Sequence, residues 1–290
     1  MPATRANPLG NRTLGSRIRL VALDLDGTLL NSRHEVSAAT TRALQTLRRH
    51  GVSIALVTGR RFRNVARIVQ EHGLGDITIV HNGAVIRRQN GDLLFFEELD
   101  PSVCHDIIDA SSRLDQFPLL LVDPLQTRVF FQAAAYRNNA RSEYLTRNQN
   151  DAVEVQSLHD ALTGAPVIQM LFTHAIAPLQ ECKRQLIEQF AKRATILETS
   201  YPDRDHVFVD VIHRNCSKGR ALAWLMRREN LSPGEVMAFG DNHNDLEMLQ
   251  IAGHAFLMDN ADDDLKRLGF HIAPANDQDG VAQIVGEYWP

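Results

Sequence analysis

The sequence predicts an α/β protein with a doubly wound parallel (Rossmann-like) core sheet and an inserted α+β cap domain. Short apolar segments alternate with amphipathic helical segments near both ends of the chain, whereas in the middle several strands follow one another without a helix. The alternation is typical of a parallel sheet with right-handed connections, and consecutive strands favour an antiparallel α+β module. We therefore expect a disordered leader at 1–17, a core made of 18–86 and 212–290, and a cap at 87–211.

The first half of the core contains three apolar runs that end in polar or glycine residues, as buried parallel strands do. These runs cover 19–23, 53–57 and 77–80. Between them, apolar residues recur at the spacing of an amphipathic helix, around Leu44 and Leu47 and again from Phe62 to Val69. The sequence thus predicts a β-α-β-α-β arrangement for this half.

The same alternation returns near the C-terminus, and a different pattern fills the middle of the chain. The C-terminal pattern predicts helices over 218–229 and 246–249 and strands over 235–239, 255–258 and 270–273. In the middle we expect strands at 92–96, 119–122, 128–132, 167–173, 194–199 and 207–212, with helices near 101–114, 135–145 and 178–191. Because several of these strands lack a helix between them, this insertion is expected to be the cap.

The composition limits the classes of partner. Apolar residues make up 44% of the 290 residues and charged residues 23%, and the net charge of -4 provides no basic face for nucleic acid. The three cysteines form no C-x-x-C pair, which argues against a disulfide framework or zinc site and favours the reducing cytoplasm. No apolar run approaches the roughly 20 residues that span a bilayer. We expect neither nucleic acid nor membrane as a partner.

The first motif, D-L-D-G-T at 24–28, follows the first predicted strand. Ligands of open α/β sheets bind beyond the carboxyl ends of strands, and side chains at i and i+2 of a strand point the same way. Asp24 and Asp26 could therefore serve one site as nucleophile and proton donor, with a cation to keep the first ionised. A calcium loop starting at Asp24 is the competing interpretation, but its turn glycine would have to be Leu29 and a helix should precede it.

Three further motifs lie at predicted strand ends or helix starts. Thr58-Gly59-Arg60 combines a hydroxyl with backbone N–H groups near a helix start, which suits an anion, although such a triplet can be a simple turn. Lys218 begins a helix, where a cation is disfavoured unless it reaches a bound phosphate; a solvated surface lysine is the alternative.

The last motif is G-D-N-H-N-D at 240–245, directly after an apolar strand. Its carboxylates and amides are hard oxygen ligands that suit Mg²⁺, and capping of the next helix by Asn244 or Asp245 is the structural alternative. His243 could be a general base, although an exposed or packed histidine is the simpler interpretation. Together the four motifs supply the groups that phosphoryl transfer needs.

With these four motifs the sequence resembles the haloacid dehalogenase superfamily, and in detail its Cof-type phosphatases, which carry a large α/β cap. D-L-D-G-T, T-G-R, S-K-G and G-D-N-H-N-D are similar to the four superfamily motifs, and H-N-G-A at 81–84, M-D-N-A at 258–261 and D-G-V-A-Q-I at 279–284 fit the branch. The resemblance covers nearly everything from Arg17 onward, but in the cap it depends on position and length alone. His81 departs from the branch, where Ser or Thr is commoner.

The resemblance implies a Mg²⁺-dependent phosphatase that acts on small phosphomonoesters, such as sugar, nucleotide or cofactor phosphates, through a phospho-aspartate. Asp24 would be the nucleophile and Asp26 the acid/base, the presence of Asp26 favouring phosphate hydrolysis over dehalogenation. Mg²⁺ would be bound by the Asp24 carboxylate, the Asp26 backbone carbonyl and Asp241. The groups that would hold the phosphate are Thr58, Gly59, Lys218 and Asn244, with Asp245 supporting the metal or Lys218.

Two alternatives keep the same fold. A phosphomutase or a sucrose- or trehalose-type phosphatase would use this core on another substrate, and a non-catalytic binding protein would keep the fold without turnover. The intact Asp24 and Asp26 pair speaks against the last one. Neither the physiological substrate nor the oligomeric state is indicated by any motif in the sequence.

Overall fold

In the computed structural model, the described residues are 15, 17–72, 75–122, 128–133, 138–201 and 204–290, so the predicted leader falls almost wholly outside them. The chain forms two compact units, which are described separately. Unit 1 comprises Met1–Asp92 and Ser217–Pro290, and unit 2 comprises Leu93–Cys216.

The first half of unit 1 follows the predicted alternation. Its elements are β1 (Leu20–Asp24), α1 (Ala38–Arg49), β2 (Ser53–Val57), α2 (Phe62–His72), β3 (Ile77–Val80) and β4 (Val85–Arg88). The side chain of Ser37 accepts a hydrogen bond from the Thr40 backbone and so caps α1. Leu44 and Leu47 lie on the buried face of that helix, as their spacing predicts.

Unit 2 is an α+β module around a six-stranded sheet. Its elements are β5 (Leu93–Phe96), α3 (Pro101–Ser112), β6 (Leu119–Val122), β7 (Arg128–Phe131), α4 (Asn139–Arg147), β8 (Ala152–Glu154), α5 (Leu158–Ala161), β9 (Val167–His174), α6 (Ile176–Phe190), β10 (Ala194–Tyr201) and β11 (His206–His213). The sheet order is β10-β11-β9-β6-β7-β8, antiparallel except for the β7–β8 pair. The predicted helix at 135–145 starts in residues outside the described part.

Strand β6 is buried on both faces of the unit 2 sheet, which explains its continuous apolar run. Leu120 and Val122 pack into the larger cluster, which includes apolar residues of α3, α5 and α6. Leu119 and Leu121 face the other way and pack with Leu145 of α4. Successive side chains of a strand point to opposite faces, so a strand buried on both sides is apolar throughout.

The second half of unit 1 completes the doubly wound core. Its elements are α7 (Lys218–Arg228), β12 (Val236–Gly240), α8 (Leu246–Ile251), β13 (His254–Met258), α9 (Asp263–Lys266), β14 (His271–Ala273) and α10 (Gly280–Tyr288). The unit 1 strands are ordered β14-β13-β12-β1-β2-β3-β4. All neighbours are parallel except β3 and β4. In this order β1 lies between β2 and β12, so strands far apart in sequence are neighbours.

Two features differ from the prediction. β4 was not expected, and it runs antiparallel to β3 because a three-residue turn, His81–Gly83, joins the two strands and leaves no room for a helix. The predicted boundary at 87 falls inside β4, which belongs to the unit 1 sheet, and the boundary at 211 falls inside β11. In the structure the boundaries between the two units lie in the chain at 92/93 and 216/217. In the part of the chain that the structure describes, no helix is both long and apolar enough to cross a membrane.

Candidate active site

Three neighbouring strands of unit 1 bring the predicted motifs to one edge of the sheet. β1 ends at Asp24, paired in register with Val57 at the end of β2, and Leu23 of β1 pairs with Phe239 near the end of β12. Because these strands are parallel, the residues that follow them emerge at the same edge. The D-L-D-G-T, T-G-R and G-D-N-H-N-D motifs are thereby gathered.

Lys218 is the cation of this edge, and it is buried. Its Nζ donates hydrogen bonds to Asp24 Oδ1 at 2.6 Å and to Asp245 Oδ1 at 2.7 Å. Its side chain is 3% exposed, and those of Asp24 and Asp245 are 6% and 0% exposed. The alternative of a solvated surface lysine is therefore wrong.

Asp245 links the lysine to the backbone of its own motif. Its Oδ1 accepts from Lys218, while its Oδ2 accepts from the backbone N–H groups of Asp241 and Asn242, each at 3.1 Å. With Asn242 it forms a capping box at the short turn His243–Asp245, immediately before α8. The cap thus fixes the carboxylate that faces the lysine.

Asp241 faces the same place from the end of β12. Thr28 Oγ1 donates to Asp241 Oδ1 at 2.9 Å, which ties the first motif to the last. Gly27 has φ +82°, and a Cβ there would lie 2.2 Å from Asp241 Oδ2, so glycine is required on both counts. Carboxylate oxygens of Asp24, Asp241 and Asp245 lie within 4.8 Å of one another.

The charges of this cluster perturb one another. Burial raises the pKa of Asp24 well above its ordinary value; Lys218 opposes the rise, and the neighbouring carboxylates, Asp26 included, add to it. Burial and Asp245 raise the pKa of Asp241 to about 6. Burial alone would lower the pKa of Lys218, but the Asp24 and Asp245 carboxylates outweigh burial and raise it. When all three carboxylates are ionised, they carry more negative charge than one lysine balances.

The carboxylate of Asp26 does not join this cluster. Arg60 binds it in a bidentate manner, with Nε 2.7 Å from Oδ2 and Nη2 in contact with Oδ1. The Asp26 side chain is 42% exposed, and His34 Nδ1 lies 3.8 Å from Asp26 Oδ1. The expectation that Asp24 and Asp26 point the same way assumed a continuing strand, but β1 ends at Asp24, so the strand alternation stops there.

The other predicted phosphate ligands lie beside a turn that follows β3. Asn244 Nδ2 donates to Asn82 Oδ1 at 3.2 Å, and a Cβ on Gly59 would lie 3.0 Å from the Asn82 amide atoms. Thr58 is buried, and its Oγ1 accepts from the Arg60 backbone N–H at 3.1 Å. In the described part of the chain, the Asn244 side chain thus bonds to this turn and the Thr58 side chain to the backbone of its own segment, rather than to the carboxylates.

Two competing interpretations are not supported. His243 is exposed, and its Nε2 lies 3.3 Å from Asp264 Oδ2, so it does not face the carboxylate cluster as a base would. The segment after Asp24 is preceded by a strand, and Thr28 is engaged with Asp241, so it does not form a calcium loop.

Three residues gain a role that the sequence did not assign to them. Arg60 pairs with Asp26, and Asn82 contacts Asn244, although both belong to quoted motifs. Asn260 of M-D-N-A donates to the Gly27 carbonyl oxygen at 2.8 Å and supports the loop after β1. Motif membership was the only available signal, because the partners are distant in sequence.

Comparisons with known proteins find similar sequences and a similar fold. The sequence profile of haloacid dehalogenase-like hydrolases matches residues 21–285. The phosphatase YwpJ of Bacillus subtilis is 30% identical over 283 residues, covering 92% of this chain and 99% of its own. The HMP-PP phosphatase of Cronobacter sakazakii is 30% identical over 249 residues, covering 84% and 85%. The crystal structure of TM0651 from Thermotoga maritima superposes with a TM-score of 0.79 at 25% identity, covering 93% and 97%.

Proposed function

The chain belongs to the haloacid dehalogenase-like hydrolases, and on that premise we propose that it is a Mg²⁺-dependent phosphatase of small phosphomonoesters that works through a phospho-aspartate on Asp24. The observation that carries this proposal is the buried contact of Lys218 with Asp24 and Asp245, next to Asp241. This contact supports the proposal because it joins a carboxylate suited to act as nucleophile, a cation suited to phosphate and hard oxygen ligands at one sheet edge.

The donor set of this edge fits Mg²⁺. Three carboxylates converge within 4.8 Å and one lysine is buried with them, so a formal excess of negative charge remains when all are ionised. Mg²⁺ prefers carboxylate oxygens and water, and a divalent cation would offset that excess. Asp24 and Asp241 would hold the ion together with the Asp26 backbone carbonyl, and Asp245 would support them. When bound, the ion would screen the charge of the phosphate.

In the first half of the proposed reaction, an Asp24 carboxylate oxygen attacks phosphorus, and the bond from phosphorus to the ester oxygen breaks. Lys218 offsets the repulsion between the carboxylate and the phosphate while holding Asp24 in place. Asp26 donates its proton to the leaving oxygen, which departs as an alcohol. Arg60 holds the Asp26 carboxylate in this structure, and we propose that this contact positions Asp26 for proton transfer to the ester oxygen.

In the second half, Asp26 takes a proton from a water molecule, and the water oxygen attacks phosphorus. The bond between phosphorus and the Asp24 oxygen breaks, which frees inorganic phosphate and restores the carboxylate. Thr58, Gly59 and Asn244 are proposed to hold the phosphate oxygens through both halves. No redox partner or further substrate is needed, because the only co-reactant is water.

We assign substrate selection to unit 2 and propose small phosphorylated metabolites as substrates, with sugar, nucleotide and cofactor phosphates as the classes to test. Nucleic acid is not expected as a partner, because the net charge is -4. The cytoplasm is the proposed location, because three cysteines without a paired spacing suit a reducing compartment.

The test is hydrolysis of p-nitrophenyl phosphate with Mg²⁺ and with excess EDTA, paired with thermal unfolding. We expect turnover only with Mg²⁺, and Mg²⁺ should also raise the Tm because it binds the folded chain. Asp241→Asn should abolish both effects. Asp264→Asn, at an exposed acid of the same unit, is the matched control and should abolish neither.

The outcomes separate the alternatives. Turnover that EDTA leaves unchanged would refute the metal proposal. A Tm increase with Mg²⁺ but no release of phosphate from any ester would favour a phosphomutase or a binding protein. A screen of metabolite phosphates on the active enzyme would then identify the substrate class.

A further inference from the structure

The turn His81–Gly83, which joins β3 to β4, has an unusual backbone. His81 and Asn82 both have φ of 52°, in the left-handed region, and both are buried, at 1% and 3% exposed. A non-glycine residue with positive φ is uncommon, although asparagine and histidine are among those that adopt it most often, and here two stand in a row. A strained backbone persists only where the surroundings hold it in place, and such places cluster at functional sites.

Hydrogen bonds tie this turn to the T-G-R segment. The His81 N–H donates to the Arg60 carbonyl oxygen at 3.1 Å, and the Asn82 N–H donates to the Thr58 carbonyl oxygen at 3.0 Å. The turn is therefore fixed to the end of β2, where Thr58 is proposed to meet the phosphate.

The same turn touches the start of α7. Gly83 has φ +101°, and a Cβ there would lie 2.2 Å from the Ser217 carbonyl oxygen, so only glycine allows the contact. Ser217 is the N-cap of α7, and Lys218 is its first residue. The turn thus adjoins the segment that supplies the buried lysine.

The Asn82 side chain reaches the third segment. Its Oδ1 accepts from Asn244 Nδ2 at 3.2 Å. Its amide also occupies the space that a Cβ on Gly59 would need, 3.0 Å away. Gly59 is absent from the residues with positive φ, so the close approach of the Asn82 amide, rather than the backbone conformation, favours glycine there. T-G-R and H-N-G-A are therefore parts of one packing arrangement.

Asn244 has unused hydrogen-bonding capacity. Its Oδ1 is buried and has no partner among the described residues, while its Nδ2 donates to Asn82. As a carbonyl oxygen this atom can accept but not donate, so the group of Asn244 that can meet a phosphate oxygen is the Nδ2 amide. One amide hydrogen is held by Asn82, which leaves the second for a ligand.

We propose that Asn82 is a positioning residue: it orients the Asn244 amide so that its second hydrogen meets the transferring phosphate, and its turn fixes the spacing of Thr58, Lys218 and Asn244. This proposal rests on the proposed function of the site. Asn82 itself touches neither the reacting atoms nor the carboxylates. It acts through Asn244, which approaches from the β12 end of the sheet.

The variant Asn82→Gly tests this role. Glycine accepts the left-handed backbone, so the Tm should be unchanged or higher, while kcat/KM should fall by about tenfold to a hundredfold because a misplacement of about 1 Å is that costly. Asn230→Gly is the matched control, since Asn230 is an exposed asparagine with φ of 50° away from the site. It should leave kcat/KM unchanged.

A double-mutant cycle shows whether Asn82 acts through Asn244. If it does, Asn82→Gly should cost nothing further once Asn244→Ala is present. Gly59→Ala adds a second test: because its Cβ meets the Asn82 amide, the activity loss that it causes in the wild-type background should be smaller beside Asn82→Gly. Wild-type activity in Asn82→Gly, or additive losses in the cycle, would overturn the proposal.

A crystal structure of Asn82→Gly decides the matter without any assay. We expect the Asn244 amide to change its orientation relative to a crystal structure of the wild type determined in parallel, and an unchanged amide would overturn the positioning role. Absence of phosphatase activity in the wild type would instead refute the proposed function, and the two crystal structures would still decide whether Asn82 orients Asn244.

Discussion

Lys218 Nζ lies 2.6 Å from Asp24 Oδ1, although 194 positions separate the two residues in the chain. Neither side chain has appreciable exposure to water, and Asp245 completes the contact from the other side of the lysine. A buried ion pair of this kind costs free energy to dehydrate and requires well-placed partners. Its presence at the sheet edge is the basis of the first two predictions.

Asp24→Asn should abolish hydrolysis and leave the fold intact. The amide cannot form the phospho-enzyme, but its Oδ1 can still accept the hydrogen bond from Lys218. Release of phosphate from p-nitrophenyl phosphate measures activity, and thermal unfolding measures the fold. Asp264→Asn, which changes an exposed acid, should keep full activity. Turnover by Asp24→Asn comparable to that of the wild type would refute the nucleophile assignment.

Lys218→Met should reduce both activity and stability. The substitution leaves two buried carboxylates without their cation, and breaking such a pair costs about 3–5 kcal/mol. Activity should fall by at least about tenfold because the phosphate also loses a charged partner. Urea unfolding in the absence of Mg²⁺ measures the free energy of unfolding.

The control for that measurement is Lys266→Met. Lys266 Nζ lies 3.3 Å from Asp259 Oδ1, and the aspartate side chain is 59% exposed. Exposed pairs contribute only about 0–1 kcal/mol. If both lysine variants lose the same stability, the Lys218 contact is not the buried ion pair described above.

Arg60→Ala should affect esters according to their leaving groups. Arg60 holds the Asp26 carboxylate, which is the proposed proton donor, so its loss should misplace that donor. An alkyl phosphate needs a proton on its leaving oxygen, whereas p-nitrophenolate leaves readily without one, and general acid catalysis is worth about 10²–10⁴-fold. We expect a loss of at least about tenfold for glycerol phosphate and a much smaller one for p-nitrophenyl phosphate.

Arg33→Ala provides the matched control for the leaving-group test. Arg33 lies in the segment between β1 and α1 that also contains Asp26. Its Nε is 3.0 Å from Glu35 Oε2, and both side chains are exposed. It should change neither rate. Equal losses for the two esters in Arg60→Ala would show that Arg60 acts on something other than proton donation.

Asp210 should make the stability of the protein depend on pH. It is buried in β11, and burial raises its pKa to about 7, against the opposing effect of its hydrogen bond with Gln169. Between about pH 4 and pH 7 the folded chain keeps this proton and the unfolded chain has lost it, so stability from this group falls as the pH rises. Above pH 7 both states are ionised, and the effect is constant.

Asp210→Asn removes this titration and retains an acceptor for Gln169. The Tm of the variant minus that of the wild type should therefore increase from pH 4 to pH 7 and then level off. Asp160→Asn, at an exposed aspartate of unit 2, should show no such trend. A Tm difference for Asp210→Asn that stays constant across this range would contradict the prediction.

The local elements were predictable because their signals are local. The strands over 53–57, 77–80 and 119–122 have the predicted bounds, since continuous apolar runs of that length form strands buried on both faces. The fold class and the family resemblance are confirmed. Strand β4 was missed because its pairing depends on the strained turn before it.

The site was predictable in its residue types and less so in its contacts. Asp24 and Asp241 follow predicted strands and Lys218 begins a predicted helix, which suggested that they share one edge of the sheet. The structure brings them together there. The direction of the Asp26 side chain was not predictable, because alternation applies only within a strand and β1 ends two residues earlier. The metal and the phospho-aspartate stay predictions.

The sequence by itself determined which chemical groups follow each strand and that these strands form a parallel sheet, because both properties depend on the residues of short segments. Only the tertiary structure decided which groups share a cluster, since that depends on strand order and on where α7 and the turn His81–Gly83 dock. Partners such as Arg60 with Asp26, and Asn82 with Asn244, are 34 and 162 residues apart. No pattern in a short segment can specify contacts over such separations.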